Sequence, residues 1–300
     1  MDGADELARR FEAQRGQLRA VAYRMVGSLD EAEDAVQETW LRLSRAGDDG
    51  IDHLAAWLTT VVSRICLDML RSRAAQREDP YGDQAPESGG GAVPEDEAVL
   101  VDSVGLALLV VLDRLGPAER VAFVLHDLFG VPFDQVARVV ERSVPAAKKL
   151  ASRARHKVRG TPAVPGAELD RHRQVVEAFL AAARGGDLGA LLGLLAPEVV
   201  RRADLAALPP GVAAELRGAR AVAEGTVLLR ERARFAVPAL VGGDVGLVVA
   251  PRGRLRYVVA ATVRGGRISS YEVIADPARL RALDLAVLDA PGVNSPFPTR

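Results

Sequence analysis

The chain has 300 residues, 49% of them hydrophobic and 26% charged, which is enough for two or three folded domains. Its net charge of −1 excludes a uniformly basic or acidic protein, and one cysteine, Cys66, excludes an internal disulfide and is typical of a reducing compartment. No apolar run reaches the roughly 18 residues of a membrane span, and the N-terminus MDGADELARR lacks a signal-peptide core. We therefore expect a cytoplasmic protein with no membrane partner.

Residues 5–77 have the periodicity of helices. A first apolar stripe ends at Gly27 and Ser28, and Asp30 with Glu33 has the spacing of a capping box that would start the next helix. This second helix has one apolar face, which includes Trp40, and one polar, mainly acidic face. A third helix follows from about residue 54. The pattern predicts an all-α domain.

The composition changes at residues 78–98. This stretch holds seven acidic residues, no basic residue, three prolines and four glycines. Such a composition predicts a flexible acidic linker.

Residues 99–160 have the pattern of four helices, the last two of which predict a helix-turn-helix. Gly116 and Pro117 start one helix, and after a further helix and a four-residue turn Ser143 caps the last one. From Arg138 to Arg159 the chain has eight Lys or Arg residues and one acid. A concentrated basic helix of this kind is typical of a helix that enters a DNA major groove. The alternative is a solvated basic helix in an ordinary bundle.

The rest of the chain predicts an α+β domain. TPAVPG at 161–166 reads as a short hinge, and two helices follow, the second capped by Asp187. A third helix is expected near 219–232. The pattern predicts five strands in an antiparallel meander, some of them separated by glycine-rich turns. The predicted strands are 198–203, 235–241, 245–250, 255–263 and 268–274.

Four motifs resemble, in order, those of bacterial sigma factors of the extracytoplasmic-function group: DEAEDAVQETWLRL (30–43), AAWLTTVVSRICLDMLRSR (55–73), LGPAERVAFVLHDLFGVPFDQVARVV (115–140) and LASRARHKV (150–158). The part after residue 166 resembles a SnoaL-like domain of the NTF2-like superfamily. Together the two parts are similar to SigJ-type sigma factors. The resemblance implies two all-α sigma domains, the second with a helix-turn-helix, followed by an α+β cone-shaped NTF2-like domain.

The implied domains are sigma region 2 at 5–77, the acidic linker at 78–98, sigma region 4 at 99–160, the SnoaL-like domain at 167–285 and a tail at 286–300. Two features depart from the family pattern. Tyr81 in the linker is followed by GDQAPESGG instead of a Trp-Leu-Pro-Glu-Pro-like motif, and Asp204 is followed by LAALPPG instead of a glycine run.

A sigma factor is the detachable promoter-reading subunit of RNA polymerase, so the implied partners are the core enzyme and promoter DNA. The second helix would dock on the core enzyme through the residues on its polar face: Asp34, Gln37, Glu38 and Arg42. The third helix would bind the minus-ten element through residues off its apolar stripe: Arg64, Asp68, Arg71 and Arg73. Trp57 and Trp40 are expected in the core. The last helix of region 4 would bind the minus-thirty-five element through its outward side chains: Lys148, Lys149, Ser152, Arg153, Arg155, His156 and Arg159.

Some cone-shaped folds of this class are enzymes, which commonly pair Asp with His. The four histidines are His53, His126, His156 and His172, so none lies beyond residue 172. We therefore expect no catalytic residue, no metal and no cofactor, and a regulatory domain that could take a small-molecule ligand. Residues that could line its pocket are Asp204, Glu224, Tyr257, Tyr271 and Glu272. The alternative function is a ligand-responsive helix-turn-helix regulator that binds operators without polymerase.

Overall fold

The computed structural model describes residues 2–47, 50–78 and 103–288. Most of the predicted acidic linker and of the predicted tail lies outside these ranges. The described chain forms two compact units, the first of residues 2–78 and 112–156 and the second of residues 103–111 and 157–288. In the described ranges, every helix is too short or too polar to cross a bilayer.

The first unit is helical. The helices up to residue 159 are α1 (Asp2–Val26), α2 (Leu29–Ala46), α3 (Leu54–Glu78), α4 (Ser103–Leu112), α5 (Pro117–Phe123), α6 (Phe133–Val140) and α7 (Val144–Arg159). All of α4 except its last residue belongs to the second unit. A π-helical turn, Val124–Leu128, extends α5 and was not predicted. The last residues of α7 belong to the second unit.

Two local predictions for these helices are wrong. The cap of α2 is Ser28, whose hydroxyl accepts the Glu31 N–H at 3.5 Å, so the helix begins before the expected capping box at Asp30. The turn between α6 and α7 has three residues instead of four, because Glu141 adopts the left-handed conformation (φ +56°) that ends α6 at once.

The core of the first unit joins both predicted sigma regions. Leu18, Met25, Leu43 and Leu58 are buried where α1, α2 and α3 pack together. The other side of α3 packs against α5 and α6, which belong to predicted region 4. The helix predicted to bind the minus-ten element is therefore in direct contact with two helices of the region that carries the predicted minus-thirty-five helix.

The second unit combines helices with one sheet. Its helices are α8 (Gly166–Gly185), α9 (Leu188–Leu194), α10 (Ala219–Leu228), α11 (Arg230–Ala233) and α12 (Pro277–Ala282). Its strands are β1 (Leu195–Ala203), β2 (Glu215–Arg217), β3 (Ala236–Val241), β4 (Asp244–Val249), β5 (Tyr257–Arg264), β6 (Arg267–Ile274) and β7 (Leu285–Ala286). Asp187 caps α9 as predicted, since its carboxylate accepts the Ala190 N–H at 2.9 Å.

The strand order is β2-β1-β6-β5-β4-β3-β7, and β1 runs parallel to β6. The prediction of a wholly antiparallel meander is therefore wrong for β1, while β3 to β6 do form antiparallel pairs joined at the predicted turns. The short strands β2 and β7 were not predicted. Helix α8 packs across the sheet and covers its apolar face, with Val176, Phe179 and Leu180 buried.

The segment expected to be a hinge is held in place within the second unit. Val158 accepts a hydrogen bond from the Val287 N–H at 2.9 Å, and Ala163 N–H donates to Gly243 at 2.7 Å. Gly160, with φ +60°, packs against Ala286. The prediction of a free hinge at 161–166 is therefore wrong, because backbone hydrogen bonds tie this segment to the edge of the sheet.

Helix α4 is the other part of predicted region 4 that belongs to the second unit. Its apolar side chains, from Ala107 to Leu112, are almost completely buried. The two compact units consequently do not coincide with a division of the chain at residue 160.

Candidate nucleic-acid and polymerase interfaces

Helix α7 has one buried and one exposed face. Its small residues at helical spacing are completely buried: Ala147, Ala151, Ala154 and Val158. Ser143 begins the helix, since its hydroxyl accepts the Ala146 N–H at 3.4 Å. The exposed face carries Lys148, Lys149, Ser152, Arg153, His156 and Arg159. The sequence therefore predicted both faces of this helix correctly, and the exposed one offers cations and hydrogen-bond donors of the kind that contact phosphates and base edges.

Two of the predicted DNA-binding arginines on α7 make ion pairs within region 4. Arg155 Nε lies 2.8 Å from Asp127 Oδ1, and the Asp127 side chain is 9% exposed. Arg153 Nε lies 3.3 Å from Glu119. Arg155 therefore anchors α7 to the π-helical turn and is only partly accessible, whereas Arg153 remains exposed despite its ion pair.

The minus-ten candidates occupy two environments on α3. Asp68 and Arg71 are exposed and pair with each other at 3.4 Å. Arg64 is also exposed and donates from Nη2 to the Arg138 carbonyl of α6 at 3.0 Å. Arg73 is half-buried, donates to the Val26 carbonyl at 2.9 Å and pairs with Glu31. Arg73 thus joins α3 to the end of α1 and the start of α2.

The polymerase candidates lie along one stripe of α2. Asp34, Gln37 and Arg42 are exposed, and Arg42 Nε donates to Glu38 Oε1 at 2.9 Å. Trp40 is half-buried: its ring packs on Phe11, with the centroids 5.0 Å apart, and it borders a surface groove shared with Gln37. Its edge therefore lies beside the candidate docking residues.

Sequence reasoning missed the buried polar residues between the two sigma regions. Arg120 is 2% exposed and lies 3.3 Å from Asp113. Burial raises the pKa of the nearby Cys66 thiol to about 12, against the smaller opposite effect of Arg120. Arg120 neighbours the apolar stripe of its helix in sequence, so only the packing of α3 against α5 reveals that it is buried.

In the second unit, the three carboxylates expected to line a pocket have other roles. Asp204 accepts hydrogen bonds from the Ala275 and Asp276 N–H groups, both at 2.9 Å, and from Arg279 at 2.7 Å. Glu272 also pairs with Arg279, at 2.8 Å, and Glu224 is exposed and lies 3.6 Å from Arg220. The pocket expectation is wrong for these carboxylates and correct for Tyr257 and Tyr271, which line an apolar cavity of this unit.

The second unit also contains a His–Asp pair that sequence reasoning missed. His172 is 8% exposed, and its Nδ1 lies 2.8 Å from Asp244 Oδ1. The two residues are 72 positions apart, so no local pattern joins them. Neither residue lines the cavity that Tyr257 and Tyr271 border, but His172 lines a second pocket together with Glu168 and Arg171. The pair links α8 to the start of β4.

Comparisons with known proteins agree with this architecture. Residues 10–76 match the family model of Sigma-70 region 2, and residues 105–158 match that of Sigma-70, region 4. The chain is 36% identical over 296 residues to the probable ECF RNA polymerase sigma factor SigI of Mycobacterium tuberculosis, covering 94% of this chain and 98% of SigI. It is 40% identical over 284 residues to ECF RNA polymerase sigma factor SigJ of the same organism, covering 89% and 91%.

Among solved structures, the crystal structure of M. tuberculosis SigJ covers 91% of this chain and 98% of that one, at 36% identity and a TM-score of 0.46. The two matched sigma regions and the α+β unit that follows them occur in the predicted order along this chain. The chain belongs to the extracytoplasmic-function sigma factors, which direct RNA polymerase to initiate transcription at promoters.

Proposed function

We propose that this sigma factor reads promoters with two surfaces and docks on core polymerase with a third. Lys149, Ser152 and the neighbouring exposed residues of α7 contact the minus-thirty-five element. Arg64, Arg71 and Asp68 on α3 contact the minus-ten element, and the exposed stripe of α2 contacts the core enzyme. The observation that carries this proposal is that each predicted surface is an exposed face of a helix whose opposite face is buried.

The contacts divide the predicted DNA-binding residues into two groups. Arg73 and Arg155 make contacts that hold helices together, so their substitution affects folding as well as DNA binding. Lys148, Lys149 and His156 lie exposed on α7, so their substitution affects DNA binding with little cost in stability. Base-edge contacts set specificity, whereas phosphate contacts set affinity and its dependence on salt.

We also propose that the first unit is a closed form. Arg64 of α3 donates to the Arg138 carbonyl of α6, the helix that precedes the predicted minus-thirty-five helix α7, so the two DNA-binding regions touch. Promoter elements at minus ten and minus thirty-five are about 25 base pairs, or roughly 85 Å, apart on B-form DNA. Two regions that pack together in this way cannot reach both elements at once, so promoter binding requires α3 to separate from α5 and α6.

The second unit acts as a regulatory domain without catalysis in this proposal. The cavity that Tyr257 and Tyr271 line includes no carboxylate and no histidine, and the His172–Asp244 pair lies outside it, beside a separate pocket that His172 and Glu168 line. A ligand in the cavity would change the activity of the sigma factor only by binding the closed and open forms with different affinities.

The test is run-off transcription by purified core polymerase with the full chain, on promoter fragments selected from genomic DNA. The full chain is required because α4 belongs to the second unit, and cutting near Gly160 would uncover its apolar side chains. Lys149→Ala is expected to lower minus-thirty-five-dependent initiation about tenfold. Arg220→Ala removes an exposed cation in the second unit and should leave initiation unchanged.

Docking is tested by measuring the affinity of the full chain for core polymerase. Glu38→Lys places a cation in the acidic stripe of α2 and should weaken binding, whereas Glu231→Lys makes the same change at an exposed site in the second unit. If the chain bound promoter duplexes but never supported initiation, it would be acting as an operator-binding regulator. Equal effects of both Lys variants would remove the docking assignment.

A further inference from the structure

We propose that the second unit binds a small organic acid, with the carboxylate on Arg201 and an apolar body in the surrounding cavity. This inference deepens the regulatory role proposed above by naming the chemical class of the ligand. Its binding can be measured without polymerase, so its failure and the failure of the transcription assay are distinguishable.

The cavity lies between the sheet and the helices that cover it. Its volume is about 80 Å³, which corresponds to roughly five to eight water-sized positions. Most of its lining is apolar and comes from α8 and from four strands, with Phe179, Leu247, Val249, Val259 and Val273 among the contributors. An apolar ligand body of fewer than about ten non-hydrogen atoms suits this volume and lining.

Arg201 is the polar residue that makes this cavity unusual. Its side chain is 1% exposed, and Nη2 donates to the Ala213 carbonyl. Its Nε and Nη1 atoms are buried and have no hydrogen-bond partner. No carboxylate of the described residues lies within ion-pair distance of it. A buried guanidinium without a counter-ion is costly, and an anion that accepts its N–H groups would relieve that cost.

The strand register explains why Arg201 faces inward. On β1, alternate side chains point to opposite faces, and the next residue, Arg202, is exposed and pairs with Glu215 at 3.0 Å. Arg201 lies opposite Tyr271 of the parallel strand β6, so both side chains enter the cavity. The sequence gives no sign of this, because Arg201 and Arg202 are adjacent identical residues.

The hydroxyl protons of Thr226 and Tyr271 are already used in hydrogen bonds within the protein, so Arg201 is the group that remains to bind an anion. The Thr226 hydroxyl donates to the Val222 carbonyl at 2.8 Å, so at its 2.8 Å contact with Tyr271 it accepts the phenol proton. That proton is therefore not available to a ligand. Arg232 adds a second guanidinium to the lining, while no acidic residue lines the cavity. The electrostatics therefore favour an anion over a neutral or cationic ligand.

The experiment is calorimetric titration of the full chain with butanoate, hexanoate and benzoate, each compared with its amide. At least one acid is expected to bind saturably, and its amide about tenfold or more weakly, because the amide carries no charge for Arg201. Arg201→Met should remove this preference for the acid. Arg202→Gln, on the same strand but on its exposed face, should leave acid binding within about twofold of the unsubstituted chain.

Three outcomes would overturn the proposal: no saturable binding of any of the acids, equal binding of acid and amide, or undiminished acid binding by folded Arg201→Met. The comparison of acid with amide uses the unsubstituted chain, so it decides the question even where Arg201→Met does not fold. Arg201→Lys keeps the charge but shifts its position, and intermediate acid binding by that variant would support the assignment of the carboxylate to this residue.

Discussion

Gly160 follows the last residue of α7, and its replacement by alanine tests how tightly this end of the DNA-reading helix is held. The glycine has φ +60°, a conformation that costs alanine about 1–2 kcal/mol. A Cβ atom there would lie 2.5 Å from Ala286 Cβ and 3.0 Å from Leu240 Cδ2. Relieving such overlap costs about 1–3 kcal/mol more. Gly160→Ala should therefore destabilise the second unit by roughly 2–5 kcal/mol.

The matched control is Gly265→Ala in the turn between β5 and β6. Gly265 has φ +56° and no atom within 4 Å of a Cβ placed there, so its replacement carries only the conformational cost. At about 3 °C per kcal/mol, the two variants should lower the melting temperature by roughly 6–15 °C and 3–6 °C, respectively.

Two measurements test this prediction: thermal unfolding monitored by tyrosine fluorescence, and hydrogen exchange of the Val287 backbone amide. Val287 N–H donates to the Val158 carbonyl, so loss of its protection would locate the damage at this contact. If Gly160→Ala were no more destabilising than Gly265→Ala, or left Val287 as protected as before, the packing argument would be refuted.

Three further predictions concern single side chains. Cys66 should resist iodoacetamide at pH 8 until the chain unfolds, because burial raises the pKa of its thiol from 9.0 to about 12. For the same reason the free energy of unfolding should fall as the pH rises from about 9 to 12. Rapid alkylation of the native protein would contradict the burial of this thiol. Burial alone would raise the pKa of Asp204, but hydrogen bonds from backbone N–H groups and from Arg279 outweigh burial and lower the pKa below 3.8. Asp204 therefore stabilises the fold above that pH, and its contribution is lost as the pH falls further. In urea titrations, the difference in stability between Asp204→Asn and the unsubstituted chain should be smallest at the lowest pH. Lys149→Ala should reduce the slope of log binding constant against log salt concentration by about one for promoter binding, without changing stability. Arg155→Ala should instead cost about 1–3 kcal/mol of stability. The reverse pattern in binding and melting assays would invalidate the division of the α7 residues into these two groups.

Short-range sequence patterns were sufficient for most of the helical part. The i, i+4 and i, i+3 spacing of Ala147, Ala151 and Ala154 predicted the buried face of α7, because helix geometry alone brings such residues together. The motif resemblance predicted the family, and the comparisons confirm it. The roles assigned to single residues on α2, α3 and α7 stay predictions.

The predictions that failed depended on contacts between residues far apart in the sequence. The parallel pairing of β1 with β6 and the His172–Asp244 contact join segments separated by some 70 positions. The hinge was predicted from its composition, but bonds to the sheet edge hold it. The pattern of polar and apolar residues shows which face of an element must be covered, but not which element covers it.

Local periodicity thus determined where the helices and most strands lie, which faces they bury and which helix carries the basic surface. Tertiary packing decided that α3 meets the helix-turn-helix, that α4 joins the second unit, and that Arg201 enters a cavity while Arg202 faces solvent. The physical reason is that the environment of a side chain depends on which strands and helices surround it, and those neighbours come from distant parts of the chain.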